Sequence, residues 1–126
     1  MFGPDYDPHN WSYPPHAILL LWPLGVLPYK TAMVAFLATT LILHLVAASA
    51  FRRRYAPGSD PIIFWIGQIP FAAVNIAATQ NGFLTGALIL GFLVLGDRRP
   101  LVAGVLLAIL TTNPQLGLLA PVLLVA

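Results

Sequence analysis

The stretch that decides the fold is residues 31–51, TAMVAFLATTLILHLVAASAF, which Arg52, Arg53 and Arg54 follow directly. It contains 21 residues, and His44 is its single ionisable side chain. A helix of about 20 apolar residues crosses the ~30 Å hydrocarbon core of a bilayer. Because Lys and Arg are retained on the cytoplasmic side, the run predicts a membrane-spanning helix whose C-terminal end lies inside.

The composition of the whole chain agrees with a membrane location. Of 126 residues, 59% are hydrophobic and 8% are charged, and the mean hydropathy is +0.85. A soluble domain carries about a quarter charged residues, so a soluble globular protein is excluded. The net charge of +2 comes from arginines at the ends of apolar runs, which indicates membrane orientation rather than nucleic-acid binding. The absence of Cys excludes disulfides and thiol chemistry.

Further apolar runs follow the arginine triplet. Residues 61–96 carry no charge after Asp60 and are too long for one crossing, and polar residues near Gln80 interrupt them. Asp97, Arg98 and Arg99 then return the chain to the cytoplasmic side. We predict transmembrane helices at residues 31–51, 62–78, 83–96 and 101–112, and the start of a further, truncated helix at 116–126.

The N-terminal part is expected to lie outside. Residues 1–15 form an acidic, aromatic and proline-rich outer loop. Residues 16–28 are apolar but hold Pro23 and Gly25, and they are about half the length of a crossing. We therefore predict a juxtamembrane helix at 16–28, within one membrane unit that covers residues 1–126. The predicted fold class is an all-α, polytopic transmembrane helical protein.

Polar side chains within a bilayer are costly unless they find partners, so they are functional candidates. Gln80 and Asn81 precede a predicted helix, whose free N–H groups and positive dipole end suit an anion or a sugar hydroxyl. The alternative is a capped turn in which Gly82 and Gly86 pack against another helix as a pair of small residues. Both interpretations remain open.

A second polar break, at Asn113, Pro114 and Gln115, is also expected on the outer side. Two breaks at one membrane level predict a polar pocket there. Tyr13 and His16 in the N-terminal region are further candidates, although aromatic rings such as Tyr13 also anchor at membrane interfaces. The predicted substrate-binding residues are Tyr13, His16, Gln80, Asn81, Asn113 and Gln115.

Two aspartates are the only carboxylates predicted outside. Asp5, Asp7 and His9 could ligate a divalent metal, or one carboxylate could act as a general base. The alternative is an ordinary solvated turn, so Asp5 and Asp7 are weak catalytic candidates, and neither a metal nor a cofactor is predicted. His44, among apolar neighbours, is expected to form a buried interhelical hydrogen bond.

Five sequence blocks together carry a resemblance to a known family. They are WSYPP at residues 11–15, PLGVLPY at 23–29, QNG at 80–82, DRRP at 97–100 and NPQLG at 113–117. In order and spacing the chain resembles bacterial membrane glycosyltransferases of family 87, which are related to polyprenyl-phosphate mannosyltransferases. The resemblance covers residues 2–126.

The resemblance implies a C-type polytopic fold in the bacterial inner (plasma) membrane. It implies hexosyl transfer from a polyprenyl-phosphate sugar to a hydroxyl acceptor on the extracytoplasmic face, with a carboxylate of the first outer loop as base. The lipid-linked sugar is then a donor substrate rather than a cofactor, and the expected partners are this donor and membrane lipids, not nucleic acid. The oligomeric state is not predicted.

The chain departs from the family pattern at two places. The family's usual acid lies upstream of the part matched by Phe2, and many relatives have Lys where this chain has Asn113. We therefore expect an incomplete and inactive piece of a hexosyltransferase. The alternative is a small, non-catalytic structural or accessory membrane protein that binds a lipid-linked sugar. A transporter subunit is less favoured, because the predicted spans hold no charged residue to couple ions.

Overall fold

The computed structural model describes residues 17–78, 80–113 and 116, and every regular element within them is a helix. The prediction of an all-α protein is therefore confirmed for this part of the chain. The elements are α1 (Ala17–Leu21), a 3-10 helix (Trp22–Val26), α2 (Tyr29–Tyr55), α3 (Pro61–Ala77), α4 (Gly82–Leu95) and α5 (Pro100–Leu110).

Helix α2 is the longest element, with 27 residues and a length of about 40 Å. Of the described helices it alone is both long and apolar enough to cross a membrane, whereas α3, α4 and α5 are apolar but have 17, 14 and 11 residues. It continues past Phe51 through the arginine triplet. Arg is a strong helix former, and cations at a helix C-terminus interact favourably with the helix dipole.

Proline and aspartate define the starts of the shorter helices. Asp60 caps α3, because its Oδ1 accepts hydrogen bonds from the backbone N–H groups of Ile62 (2.7 Å) and Ile63 (3.2 Å). Pro61 and Pro100 occupy the first turns of α3 and α5, where the missing N–H has no cost. The predicted helices at 62–78, 83–96 and 101–112 thus correspond to observed helices that each begin one residue earlier.

The segment before α2 is not one continuous helix over 16–28. Helix α1 ends at Leu21, and the 3-10 helix that follows carries Pro23 in its first turn. Leu27 N donates to Leu24 O (3.1 Å) and ends this turn. Pro23 has no N–H to continue the α-helical hydrogen-bond ladder, which accounts for the change to a tighter helix. The 3-10 helix packs against the start of α2.

Helix α4 is the centre of the bundle, with α2 packed on one side and α5 on another. Along α2 and α4 the contacts advance in the same direction, from His44 at Gly86 to Tyr55 at Leu93, so these two helices run parallel. Helix α5 runs antiparallel to α4 and packs through a buried cluster of Leu88, Leu107 and Leu110 that Leu116 also contacts.

The register of α2 against α4 makes the two helices end at different levels. His44 lies at the level of Gly86, so the first turn of α2 extends about 16 Å beyond the start of α4 at the usual rise of 1.5 Å per residue. At their other ends, the two helices finish together. We call the end with Arg52–Arg54 and Arg98–Arg99 the arginine end, and the end with Gln80, Asn81 and Asn113 the amide end.

Candidate functional site

The arginine end joins the two basic clusters that the sequence predicted on one side. Arg54 donates from Nη2 to Asp97 Oδ2 (2.6 Å) and from Nη1 to the carbonyl of Val94 (2.5 Å). The Tyr55 hydroxyl donates to the carbonyl of Leu93 (2.7 Å). Side chains of α2 therefore donate to carbonyls in the last turn of α4, which have no N–H donor within their own helix.

The amide end carries three of the predicted substrate-binding residues. Gln80 is exposed, and Asn81 and Asn113 are half-buried. Asn81 directly precedes α4, and its side chain makes no hydrogen bond to the first N–H groups of that helix. Because α4 and α5 are antiparallel, Asn113 follows the end of α5 at the same end of the bundle. The structure thus brings these three amide residues to one end of the bundle.

A buried amide supports the turn that carries Gln80 and Asn81. Asn75 is 5% exposed, its Nδ2 donates to the carbonyl of Phe71 (2.8 Å), and its own carbonyl accepts from Gln80 N (3.1 Å). A Cβ on Gly82 would lie 2.7 Å from Asn75 Cγ. Gly82 is therefore required for the close approach of the Asn75 side chain to the start of α4.

One helical turn further along α4, the buried His44 ring meets Gly86. His44 Nε2 lies 3.2 Å from Gln68 Oε1 on α3, so the predicted interhelical hydrogen bond is confirmed. Because an amide oxygen only accepts, Nε2 is the donor of this pair. Nδ1 is buried without a partner among the described residues, and the rings of Phe71 and Phe83 pack at 5.0 and 5.8 Å from the imidazole.

Of the capped-turn interpretation, the glycine packing is observed but a cap from the Asn81 side chain is not; the ligand-binding interpretation stays a prediction. Gly82 and Gly86 do pack against neighbouring helices, but each makes room for a polar side chain, Asn75 or His44. The packing uses the glycines, and within the described residues it does not involve the side chains of Gln80 and Asn81. The described geometry therefore packs the start of α4 against a buried polar side chain, with Gln80 and Asn81 directly before the helix.

The projecting first part of α2 borders an open depression. Its volume is about 420 Å³, and it is lined by Lys30, Thr31, Val34 and Ala35. Lys30 lies about 15 Å beyond the start of α4 by helix rise. The basic side chain and the amides are therefore at two levels on the same end of the bundle.

Carboxylates are placed only at the arginine end within the described ranges. Asp60 caps α3 and Asp97 pairs with Arg54, so neither can reach the amide end. The same part of the chain contains no group of three His, Cys, Asp or Glu side chains that could hold a metal ion. As far as it is described, the amide end contains amide side chains and the N-terminus of α4 but no carboxylate.

Several predicted residues lie outside the described part of the chain. These are Asp5, Asp7, Tyr13, His16 and Gln115. Gln68, in contrast, is a residue that the sequence analysis missed. It is a polar residue in the middle of an apolar run, and this is the signal that could have identified it. Its partner His44 lies 24 positions away, so the pairing itself could not be read from the sequence.

Comparison with known families gives one result. The sequence profile of glycosyltransferase family 87 matches residues 11–126, which is nearly the whole chain. Comparisons with curated proteins and with solved structures gave no match. The family match includes α1 to α5 and both polar breaks.

Proposed function

The chain belongs to glycosyltransferase family 87, and from this membership we propose that it works in a membrane as a hexosyltransferase. The donor is a polyprenyl-phosphate sugar, the acceptor carries a hydroxyl group, and transfer takes place on the extracytoplasmic face of a bacterial plasma membrane. The observation that carries this proposal is the family match over residues 11–126.

The membrane placement is supported by the surface of the bundle. Large apolar side chains are exposed, among them Leu101 (86%), Ile63 (71%) and Ile62 (68%). Exposed apolar surface of this extent is typical of contact with lipid or with another protein. Together with the length of α2, it favours a bundle whose long helix crosses the bilayer and whose arginine end lies at the cytoplasmic surface.

This placement puts the amide end inside the membrane. Helix α4 has 14 residues and rises about 20 Å from the arginine end, whereas the hydrocarbon core is about 30 Å thick. Gln80 and Asn81 would then lie about 10 Å below the outer edge of the core. Irregular polar backbone at such a depth is tolerated where it lines a water-filled cavity or is buried in protein, which suits a recessed site entered from outside.

A lipid-linked sugar has the chemistry that such a site selects. Its hydroxyl groups can exchange hydrogen bonds with the amides of Gln80, Asn81 and Asn113, each of which both donates and accepts. Its phosphate can approach the N-terminal end of α4, where the free N–H groups and the helix dipole favour an anion. Its polyprenyl chain remains in the hydrocarbon core.

The proposed reaction is a single displacement at the anomeric carbon. The acceptor oxygen forms the new bond, the bond to the phosphate oxygen breaks with its electron pair, and a base takes the acceptor's proton. Stabilisation of the departing phosphate would come from N–H groups and amides aimed at its oxygens. Asp5 and Asp7 are the candidates for the base.

The test is a transfer assay in membranes from cells that express the gene encoding this chain. Hexose transfer from a polyprenyl-phosphate hexose, with a loss of at least about tenfold in Asn81→Ala at equal expression, would support an active hexosyltransferase over the inactive piece that the sequence led us to expect. Gly67→Ala is the matched control, since a Cβ on Gly67 meets nothing within 4 Å. Tight binding of the donor without any transfer would instead support the non-catalytic accessory protein.

A further inference from the structure

Three guanidinium groups at the arginine end have no protein partner in the described structure. Arg53, Arg98 and Arg99 are exposed, and none of their side chains takes part in a hydrogen bond or ion pair with another described residue. Arg54 is different, because it holds both Asp97 and the Val94 carbonyl. The Asp97 carboxylate and the Val94 carbonyl thus have hydrogen-bond partners without the other three arginines.

The acidic groups at this end are already engaged. Asp97 pairs with Arg54 at 2.6 Å, and Asp60 accepts two backbone hydrogen bonds at the start of α3. Because Arg98 and Arg99 directly follow Asp97 in the chain and Arg53 directly precedes Arg54, the ion pair brings the three exposed arginines to one junction. Neither of the two described carboxylates is therefore left to neutralise these three arginines.

Exposed apolar side chains lie in the first turns of α3 and α5, the two helices that start at the arginine end. Ile62 and Ile63 in the first turn of α3 are 68% and 71% exposed, and Leu101 and Val102 in the first turn of α5 are 86% and 43% exposed. Guanidinium groups next to bare aliphatic side chains fit a ligand that is anionic at one end and aliphatic below it. A free anion or a nucleic acid would leave the aliphatic part uncovered.

We propose that Arg53, Arg98 and Arg99 form a binding surface for the headgroups of anionic phospholipids, whose acyl chains cover Ile62, Ile63 and Leu101. This inference is independent of the transfer reaction and rests only on the membrane placement in the proposed function. Each basic side chain near a membrane surface contributes about a fivefold preference for anionic lipid. Arg suits phosphate because its planar group can bind two oxygens at once.

The experiment measures which lipids remain bound to the intact chain. The protein is reconstituted in nanodiscs of equal phosphatidylglycerol and phosphatidylcholine, extracted gently, and its retained lipids are counted by mass spectrometry. We expect phosphatidylglycerol to be enriched at least about fivefold over phosphatidylcholine. The triple variant Arg53→Gln, Arg98→Gln, Arg99→Gln should retain the two lipids about equally, and the corresponding triple Lys variant should keep most of the enrichment.

Two results would overturn the inference. One is equal retention of both lipids by the unchanged protein, and the other is full enrichment in the triple Gln variant. Folding is checked in each variant by α-helical circular dichroism and by resistance to alkaline extraction from the membrane. Absence of hexose transfer together with intact lipid enrichment would contradict the proposed function alone. Extraction of the unchanged chain by alkali would contradict the membrane placement on which both proposals rest.

Discussion

His44 Nδ1 on α2 lies 2.7 Å from the point that a Cβ on Gly86 of α4 would occupy. A real Cβ does not approach a ring nitrogen so closely, so the absence of a side chain at Gly86 is what lets the imidazole enter the helix interface. The same ring bonds Gln68 on α3. The His44 ring of α2 therefore contacts both α4 and α3 and fixes the register of the three helices.

Gly86→Ala should therefore destabilise the bundle. The added methyl meets His44 Nδ1 and Cε1 at 2.7 and 2.9 Å, and overpacking of this kind costs about 1–3 kcal/mol of unfolding free energy. The measurement is denaturation by dodecyl sulfate in mixed micelles, followed by circular dichroism.

Gly67→Ala and the double variant Gly86→Ala, His44→Ala are the controls for that measurement. Gly67 has open space around its Cβ position, so Ala there should be neutral or stabilise by up to about 1 kcal/mol, because Ala is the better helix former. Two results would contradict the close approach of His44 to Gly86. One is equal unfolding free energies for Gly86→Ala and Gly67→Ala, and the other is a loss of stability from Gly86→Ala that is no smaller when the His44 ring is absent.

The Asn75 side chain should control the position of the Gln80–Asn81 turn. Asn75→Ala removes the group that packs on Gly82, and we expect the reaction of a cysteine placed at Gln80 with a water-soluble maleimide to change at least about threefold. The chain has no Cys of its own. A cysteine at Ser59, at the arginine end, is the reference and should react at an unchanged rate.

Arg54 and Asp97 should contribute unequally to stability, although they form one ion pair. The Asp97 side chain is 83% exposed and that of Arg54 is 22% exposed. Asp97→Asn should cost less than about 1 kcal/mol, as exposed ion pairs do. Arg54→Gln also loses the bond to the Val94 carbonyl and should cost about 1–3 kcal/mol. Equal unfolding free energies for the two variants would contradict this geometry.

Much of the helical framework could be predicted from the sequence. Residues 31–51 and the polar break at Gln80 predict helices because apolar runs and their interruptions are local features of the chain. Helix α2 ends at Tyr55, four residues later than predicted. The arginines after Phe51 were interpreted as the boundary of the helix, but Arg favours helix and the helix continues through them. Pro23 was recognised as unfavourable for a full crossing, but the change to a 3-10 helix was not predicted.

The tertiary contacts of the site could not be predicted in the same way. The pairing of His44 with Gln68, and the fit of Asn75 on Gly82, depend on the register between helices, which no local pattern encodes. The same register places the start of α4 about 16 Å below the first turn of α2. Helix rise along this register also separates Lys30 from the Gln80–Asn81 turn by about 15 Å.

Cysteine labelling should reveal this difference in depth. In intact cells, single cysteines at Thr31 and Asn81 should both be labelled from outside, and cysteines at Ser59 and Arg99 from the cytoplasm. Because the turn is recessed, we expect a small charged reagent to label Asn81→Cys at least about tenfold more slowly than Thr31→Cys. Outside labelling at Ser59 would reverse the orientation, and equal rates at Thr31 and Asn81 would contradict the recess.

The amide end should hold the sugar of a lipid-linked donor. The direct measurement is photo-crosslinking with a polyprenyl-phosphate hexose that carries a photoreactive group on the sugar, followed by peptide mapping. We expect crosslinks at residues 80–82 and 111–113, and fewer of them in the presence of excess unlabelled donor or in Asn81→Ala. Crosslinks concentrated at residues 53–60 or 97–100, or spread evenly along α2, would contradict it.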